Sequence, residues 1–136
     1  MKELQVVPTA YIQQVWPKVE KYLADGLIQS GGEYNVDQLK VFLAQGSQEL
    51  LIITNADRII GAFSVVFENY PNDRIAFITS VGGRMIADKA LWPKFEDWCR
   101  SQGATKIRGA AYESVAELWR RQFDVQTRYV IVEKSL

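Results

Sequence analysis

The stretch RIAFITSVGGR, residues 74–84, decides how this chain is read. Residues 74–81 are almost continuously apolar and rich in β-branched side chains, the pattern of a strand buried on both faces. Gly82-Gly83 is expected to end it, because a chain turning tightly out of a strand needs residues without a Cβ. The period upstream is also that of strands. Residues 49–54 (ELLIIT), a turn at Asn55-Ala56-Asp57 and residues 58–68 (RIIGAFSVVFE) predict a β-hairpin, and 69–73 (NYPND) supplies turn chemistry before the 74–81 strand.

Outside this block the period lengthens. Downstream, Trp92, Phe95, Trp98 and Cys99 share one stripe of a helix predicted over 91–102, with Gly103 as terminator. Residues 106–111 (KIRGAA) read as a strand, Ser114 and Glu117 as a capping box opening a short helix through Gln122, and 125–134 (VQTRYVIVEK) as a last, roughly alternating strand. Upstream, 4–7 is a short strand ended by Pro8. Ile12, Val15, Trp16, Val19, Tyr22 and Leu23 then recur at helical spacing, with Gly26 as a C-terminal stop. Pro17 predicts a break, the helix restarting with proline near its first position. A loop over 27–34 follows, and Asn35 with Gln38 caps a second helix carrying Leu39, Phe42 and Leu43 before Gly46. The order is β-α-α-β-β-β-α-β-α-β, one mixed α/β (α+β) domain over 1–136. The near repeat WPKVE (16–20) and WPKFE (92–96) diverges at once, so it reads as two helix starts using the same chemistry.

Composition removes several functions. The 136 residues include no histidine, which excludes a Ser-His-Asp or Cys-His centre, a histidine zinc site and an imidazole base. The single cysteine, Cys99, cannot form an internal disulfide and reads as buried filler in a reducing compartment. No segment approaches the roughly 20 apolar residues of a membrane span, and the N-terminus MKELQVVPTA has no apolar signal region. Sixteen basic residues balance sixteen acidic ones, against the basic excess of a nucleic-acid binder. The arginines Arg120, Arg121 and Arg128 read as a solvated face. Residues 69–136 nevertheless hold eleven basic and eight acidic groups, a surplus suited to a small anionic ligand.

Glycines after a strand and amides at the following helix start attract anions, although neither a G-x-G-x-x-G nor a Walker pattern is present at Gly82-Gly83-Arg84. With this turn in place, the element order resembles the GNAT (Gcn5-related N-acetyltransferase) fold. Val15-Trp16-Pro17, Ser30-Gly31-Gly32-Glu33-Tyr34, Asn69-Tyr70-Pro71, Gly82-Gly83, Trp98 and Gly103 are similar to small GNAT-like proteins of tailed bacteriophages. The resemblance implies acetyl-CoA as acyl donor and no metal, with a small-molecule or protein amine as acceptor. Its donor would lie along Phe77, Thr79 and Val81, in a cleft opened where a bulge splays that strand from 106–111. Its pyrophosphate would sit on the loop 84–89, through Arg84, Ala87 and Lys89, with Gly82 and Gly83 as cofactor-binding residues in the turn before it. Arg84 matches the family's loop and Ala87 is a small replacement. Lys89 departs from it, either blocking the close approach that glycine permits or placing an ammonium beside the phosphates, and Asp88 would repel a diphosphate.

The resemblance places Trp119 where the family commonly has a tyrosine acid, and Phe123-Asp124 where it has Gly-Phe. An indole N–H does not give up its proton at a useful pKa, which leaves Tyr112 or Tyr129 as acid. Glu113 or Glu68 remains as base, or an ordered water in their place. Two functions follow: an acyl-CoA-dependent N-acetyltransferase with a degenerate site, or a non-catalytic GNAT-fold protein of phage structure or assembly. The second would associate with phage proteins or itself through Tyr11, Trp16 or Tyr70, in host cytoplasm or virion.

Overall fold

In β2 (Glu49–Asn55), Leu50 and Ile52 point to one face while Leu51 and Ile53 point to the other, and all four are buried. Side chains alternate along a strand, so one that is apolar at every position needs cover on both sides. The computed structural model, which describes residues 2–28, 32–83 and 89–136, supplies that cover as a layer of helices on each face of a sheet. The sheet runs β1 (Lys2–Val7), β2, β3 (Arg58–Asn69), β4 (Arg74–Gly83) and β5 (Lys106–Gly109), in chain order. All neighbours are antiparallel except β4 and β5, which are parallel.

One face carries α1 (Ile12–Leu27) and α2 (Val36–Gln45), whose Trp16, Val19, Leu23, Leu39 and Leu43 close on Leu50, Ile52 and Ala62. The other carries α3 (Trp92–Ser101), with Phe95 and Cys99 on Leu51, Ile53, Phe63, Ala76 and Ile78. Phe63 and Phe95 meet edge to face at 5.0 Å between centroids. The last helix, α4 (Glu113–Phe123), is fastened to α3 by Phe123 stacked on Trp92 at 4.6 Å. Each such buried Leu or Phe contributes roughly 1.5–3 kcal/mol relative to an exposed one.

The mixed α/β class read from the periodicity is the one observed. Asn35 accepts from the Gln38 amide while the Gln38 side chain accepts from the Asn35 amide, completing the expected box, and Gly46 closes α2 in the left-handed region. The 55–57 turn is a tight hairpin with positive φ at Ala56 (50°) and Asp57 (66°), the conformation that suits the twist of the strands it joins.

Several expectations are corrected. Pro17 does not break α1 but lies inside it. Losing one hydrogen bond near the helix start is offset by the burial of Trp16 and Val19 on either side of it. The two WPK sequences therefore have different settings, since Pro93 does sit in the first turn of α3. Gly26 is not a stop: it is a buried helical residue at which α1 presses on β4. Gly82 and Gly83 belong to β4, paired with Ala62 and Gly61. The strand predicted over 106–111 ends at Gly109. Helix α4 starts one residue before Ser114, with Tyr112 as N-cap and no side-chain cap, so the Ser114–Glu117 box is not what opens it. The strand predicted over 125–134 does not form, because alternation alone makes no strand without a neighbouring backbone to bond. Trp16, expected as an exposed aromatic, is buried and donates its indole N–H to Glu20 at 3.2 Å.

Candidate functional site

Strand β5 is paired with β4 along its whole length, and β4 runs on beyond it. Where the pair begins, the Asp73 carboxylate accepts from Lys106 (3.1 Å) and the Thr105 hydroxyl (2.9 Å), and the Thr105 amide donates to the Arg74 carbonyl (2.8 Å). These contacts hold the Asp73 carboxyl below the ordinary carboxylate range, Lys106 being the largest cause. The Arg74 guanidinium donates to the Gln102 carbonyl and to Asn69, and covers the Phe67 ring at 4.4 Å. Pairing then runs only from Ile75 opposite Lys106 to Ile78 opposite Gly109. Beyond that, β4 continues for five residues, 79–83, with β3 on one side and, among the described residues, no strand on the other.

The part of β4 beyond β5 starts at a bulge. Ser80 faces Ser64 and Ile78 faces Val65, which leaves Thr79 as the extra residue. A bulge bends its strand and increases the local twist, and this one falls where β5 ends. A buried hydroxyl chain holds it there. Ser64 lies 2.6 Å from the Thr79 hydroxyl, which donates to Gln48 Oε1 at 2.7 Å. Next to it the Ser80 hydroxyl donates to the Leu23 carbonyl of α1 at 2.7 Å. Two glycines allow that closeness. A Cβ on Gly26 would fall 2.3 Å from Ser80 Oγ, and one on Gly82 would fall 2.1 Å from the Tyr22 carbonyl oxygen.

The residues singled out in the sequence are distributed around this fork. Phe77 is half-buried and, in register with Arg108, sits on the stem just before the bulge. Thr79 is buried with its hydroxyl committed to Ser64 and Gln48, so it offers the fork its backbone. Val81 is half-buried against the α3-side core. Gly83 has φ 88° and a missing Cβ that would strike the Ile60 carbonyl at 2.5 Å. Lys89 is exposed in a turn before α3. Arg84 and Ala87, like Asp88, lie outside the described residues.

Trp119 is half-buried with its ring on Gly109, where a Cβ would be 2.4 Å from it; an indole thus lies at the last β4–β5 pair. Tyr112 caps α4 three residues past Gly109 with its ring exposed. Glu113 follows it, exposed and ion-paired with Arg120. Tyr129 is exposed beside Arg108. Register places Glu68 opposite Ile75, where the β4–β5 pair begins and away from 79–83. Cys99 is buried, and that burial pushes its thiol up to about 12. Sequence reasoning passed over Gln48, Ser64 and the Ser80–Leu23 clamp, although two hydroxyl residues inside an apolar strand were the available signal. Among the described residues no group of three or more Asp, Glu or Cys stands ready for a metal, and no helix is long and apolar enough to cross a membrane.

Solved structures share the overall fold. A possible acetyltransferase from Clostridium difficile 630 superposes over 100% of this chain and 98% of its own, with TM-score 0.70 at 13% identity. The chain has the fold of GNAT acetyltransferases. The same GNAT fold is seen in a predicted acetyltransferase from Clostridium acetobutylicum with acetyl-CoA (TM-score 0.66, 13% identity, 99% and 96% covered). It is seen again in an aminoglycoside acetyltransferase from an uncultured soil metagenomic sample in complex with sisomicin (TM-score 0.70, 11% identity, 99% and 96% covered). No protein-family model matches the sequence, and no curated protein does.

Proposed function

We propose that this protein is an N-acyltransferase that takes its acyl group from acetyl-CoA. The supporting observation is the fork: a strand edge at 79–83 that begins at the Thr79 bulge, beyond the end of β5, and has no strand partner on that side among the described residues. A pantetheine arm is an extended chain carrying two amides, and it can bond such an edge as a neighbouring strand would. The structural neighbour solved with acetyl-CoA shares this fold.

The reaction needs little covalent help. The acceptor nitrogen attacks the thioester carbonyl, a C–N bond forms as the C–S bond breaks, the nitrogen loses a proton and the departing thiolate gains one. Holding amine and thioester together supplies much of the rate. Tyr112, exposed beyond the end of β5, is the phenol we assign to the thiolate. Glu113 is engaged by Arg120, so it accepts the amine proton only when that pair opens, or a water takes its place.

Thermal unfolding tests donor binding. Acetyl-CoA at about ten times its dissociation constant should stabilise the protein by about 1.4 kcal/mol and raise Tm by roughly 5 °C. An unchanged Tm at millimolar acetyl-CoA refutes the proposal. A second reading rests on Trp119, an indole at the end of the β4–β5 pairing, which favours a non-catalytic interaction module such as the phage resemblance implies. Thiol release from acetyl-CoA across a panel of amines separates the two: turnover lost in Tyr112→Phe supports the enzyme, and binding without turnover supports the module.

A further inference from the structure

Arg108 stands on β5 one residue before the strand ends, in register with Phe77. Ala76, Ile78 and Ile107 pack into the core under α3, so Phe77 and Arg108, which alternate with them, face the other side of the sheet. There Arg108 is half-buried, and Val66 and Phe77, half-buried as well, continue its row across β3 and β4. Tyr70, from the turn before β4, and Tyr129 each hold a ring centroid 5.9 Å from the guanidinium. Among the described residues no carboxylate or carbonyl accepts a hydrogen bond from it.

The neighbouring cations are engaged. Lys106 is bonded to Asp73, Arg74 to Gln102 and Asn69, and Arg120 to Glu113 and Thr127. A guanidinium drawn partly out of water loses hydration that a carboxylate normally replaces, and aromatic faces replace only part of it. Its planar fork of donors matches the two oxygens of one carboxylate. A doubly charged anion suits the place less well, because Lys106 already serves Asp73 and the Asp73 charge is itself close enough to interact with Arg108. Position ties Arg108 to the fork. The edge beyond β5 begins at Thr79, two residues along β4 from Phe77, a distance of about 7 Å. Helix α1 meets this face further on, where the Leu23 and Tyr22 carbonyls approach Ser80 and Gly82.

We propose that Arg108 binds a carboxylate on the acyl acceptor, which makes that acceptor a small amine of the amino-acid kind. The inference rests on the acyltransferase reading and narrows it. With its carboxylate on Arg108 and its apolar part against Phe77 and the tyrosine rings, such a molecule carries its amine along the strand to the edge assigned to the thioester. A polyamine brings further positive charge towards Arg108, and a protein's lysine side chain brings no carboxylate of its own, so both are selected against.

Thiol release from acetyl-CoA, measured with each amino acid beside its own carboxamide, tests this. The kcat/KM for the acid should exceed that for the amide by about ten- to a hundredfold, the range expected for hydrogen bonds between charged groups. Arg108→Gln should bring the two substrates level and Arg108→Glu should invert the preference, with native far-UV spectra showing that both variants fold. Equal use of acid and amide overturns the proposal, and so does a preference that survives Arg108→Gln. If no amine is acetylated, the acyltransferase reading fails by itself, and nuclear magnetic resonance of the Arg108 side-chain Nε–H decides the carboxylate site. N-acetylated amino acids at millimolar concentration should shift that resonance while their carboxamides leave it in place. A resonance indifferent to both overturns the site as well.

Discussion

Replacing Gly82 by alanine should cost this protein about 3–4 kcal/mol. The new Cβ would stand 2.1 Å from the Tyr22 carbonyl oxygen, a backbone atom that cannot swing aside. Carbon and oxygen tolerate about 3.3 Å, so α1 must retreat from β4 by about 1 Å. That retreat loosens Trp16, Val19 and Leu23, all buried against the sheet, and over-packing of this kind costs roughly 1–3 kcal/mol. It also stretches the 2.7 Å bond from Ser80 to the Leu23 carbonyl, leaving a buried hydroxyl unpaired for about 1–3 kcal/mol more. Urea denaturation with an unchanged m-value should show the loss, together with a fall in Tm of roughly 10–15 °C. Gly103→Ala is the comparison. Its Cβ would meet only the Arg74 side chain at 3.7 Å, so the strain of φ 84° is its whole cost, about 1–2 kcal/mol. Gly26 faces the same contact from the helix, so Gly26→Ala combined with Gly82→Ala should cost less than the two separately, because one displacement of α1 relieves both. A loss below about 1 kcal/mol for Gly82→Ala would refute the claim that backbone contact positions the fork.

Thr79→Val keeps the side chain's shape but removes a hydroxyl bonded to both Ser64 and Gln48; calorimetry should show a loss of about 2–3 kcal/mol, and a neutral result would mean the bulge does not depend on that chain. Cys99, held as a thiol up to about 12, should resist disulfide reagents in the folded protein at pH 8 and react once unfolded. Its raised pKa makes the thiol's contribution complete below pH 9 and lost progressively as pH climbs towards 12, so Cys99→Ala should flatten the alkaline limb of a stability–pH curve. For Asp73 the sign is opposite. Its lowered pKa stabilises the fold above the ordinary value of 3.8 and fades as pH falls through the depressed one, so Asp73→Asn should flatten the acid limb seen by denaturant titration.

The amino-acid order by itself determined the layers. Continuous apolar runs at 49–54 and 74–81 can be stable only between two layers of cover, and the helical stripes of α1, α2 and α3 supply them. The Asn35–Gln38 cap, the hairpin turn and the glycines Gly46 and Gly103 after α2 and α3 were equally legible, because each depends on residues within a turn of one another. Tertiary structure decided what depends on distant partners. Pro17 is carried inside a helix by burial from β strands far along the chain, and Gly26 became a packing surface once Ser80 lay beneath it. The bulge at Thr79 exists because Gln48 and Ser64 converge there from two other strands' neighbourhoods, and 125–134 failed to become a strand for want of a backbone beside it. The candidate site divides in the same way: its glycines and hydroxyls are visible as letters, but the fork they form is a property of registers, and a register is set by long-range pairing that no local pattern encodes.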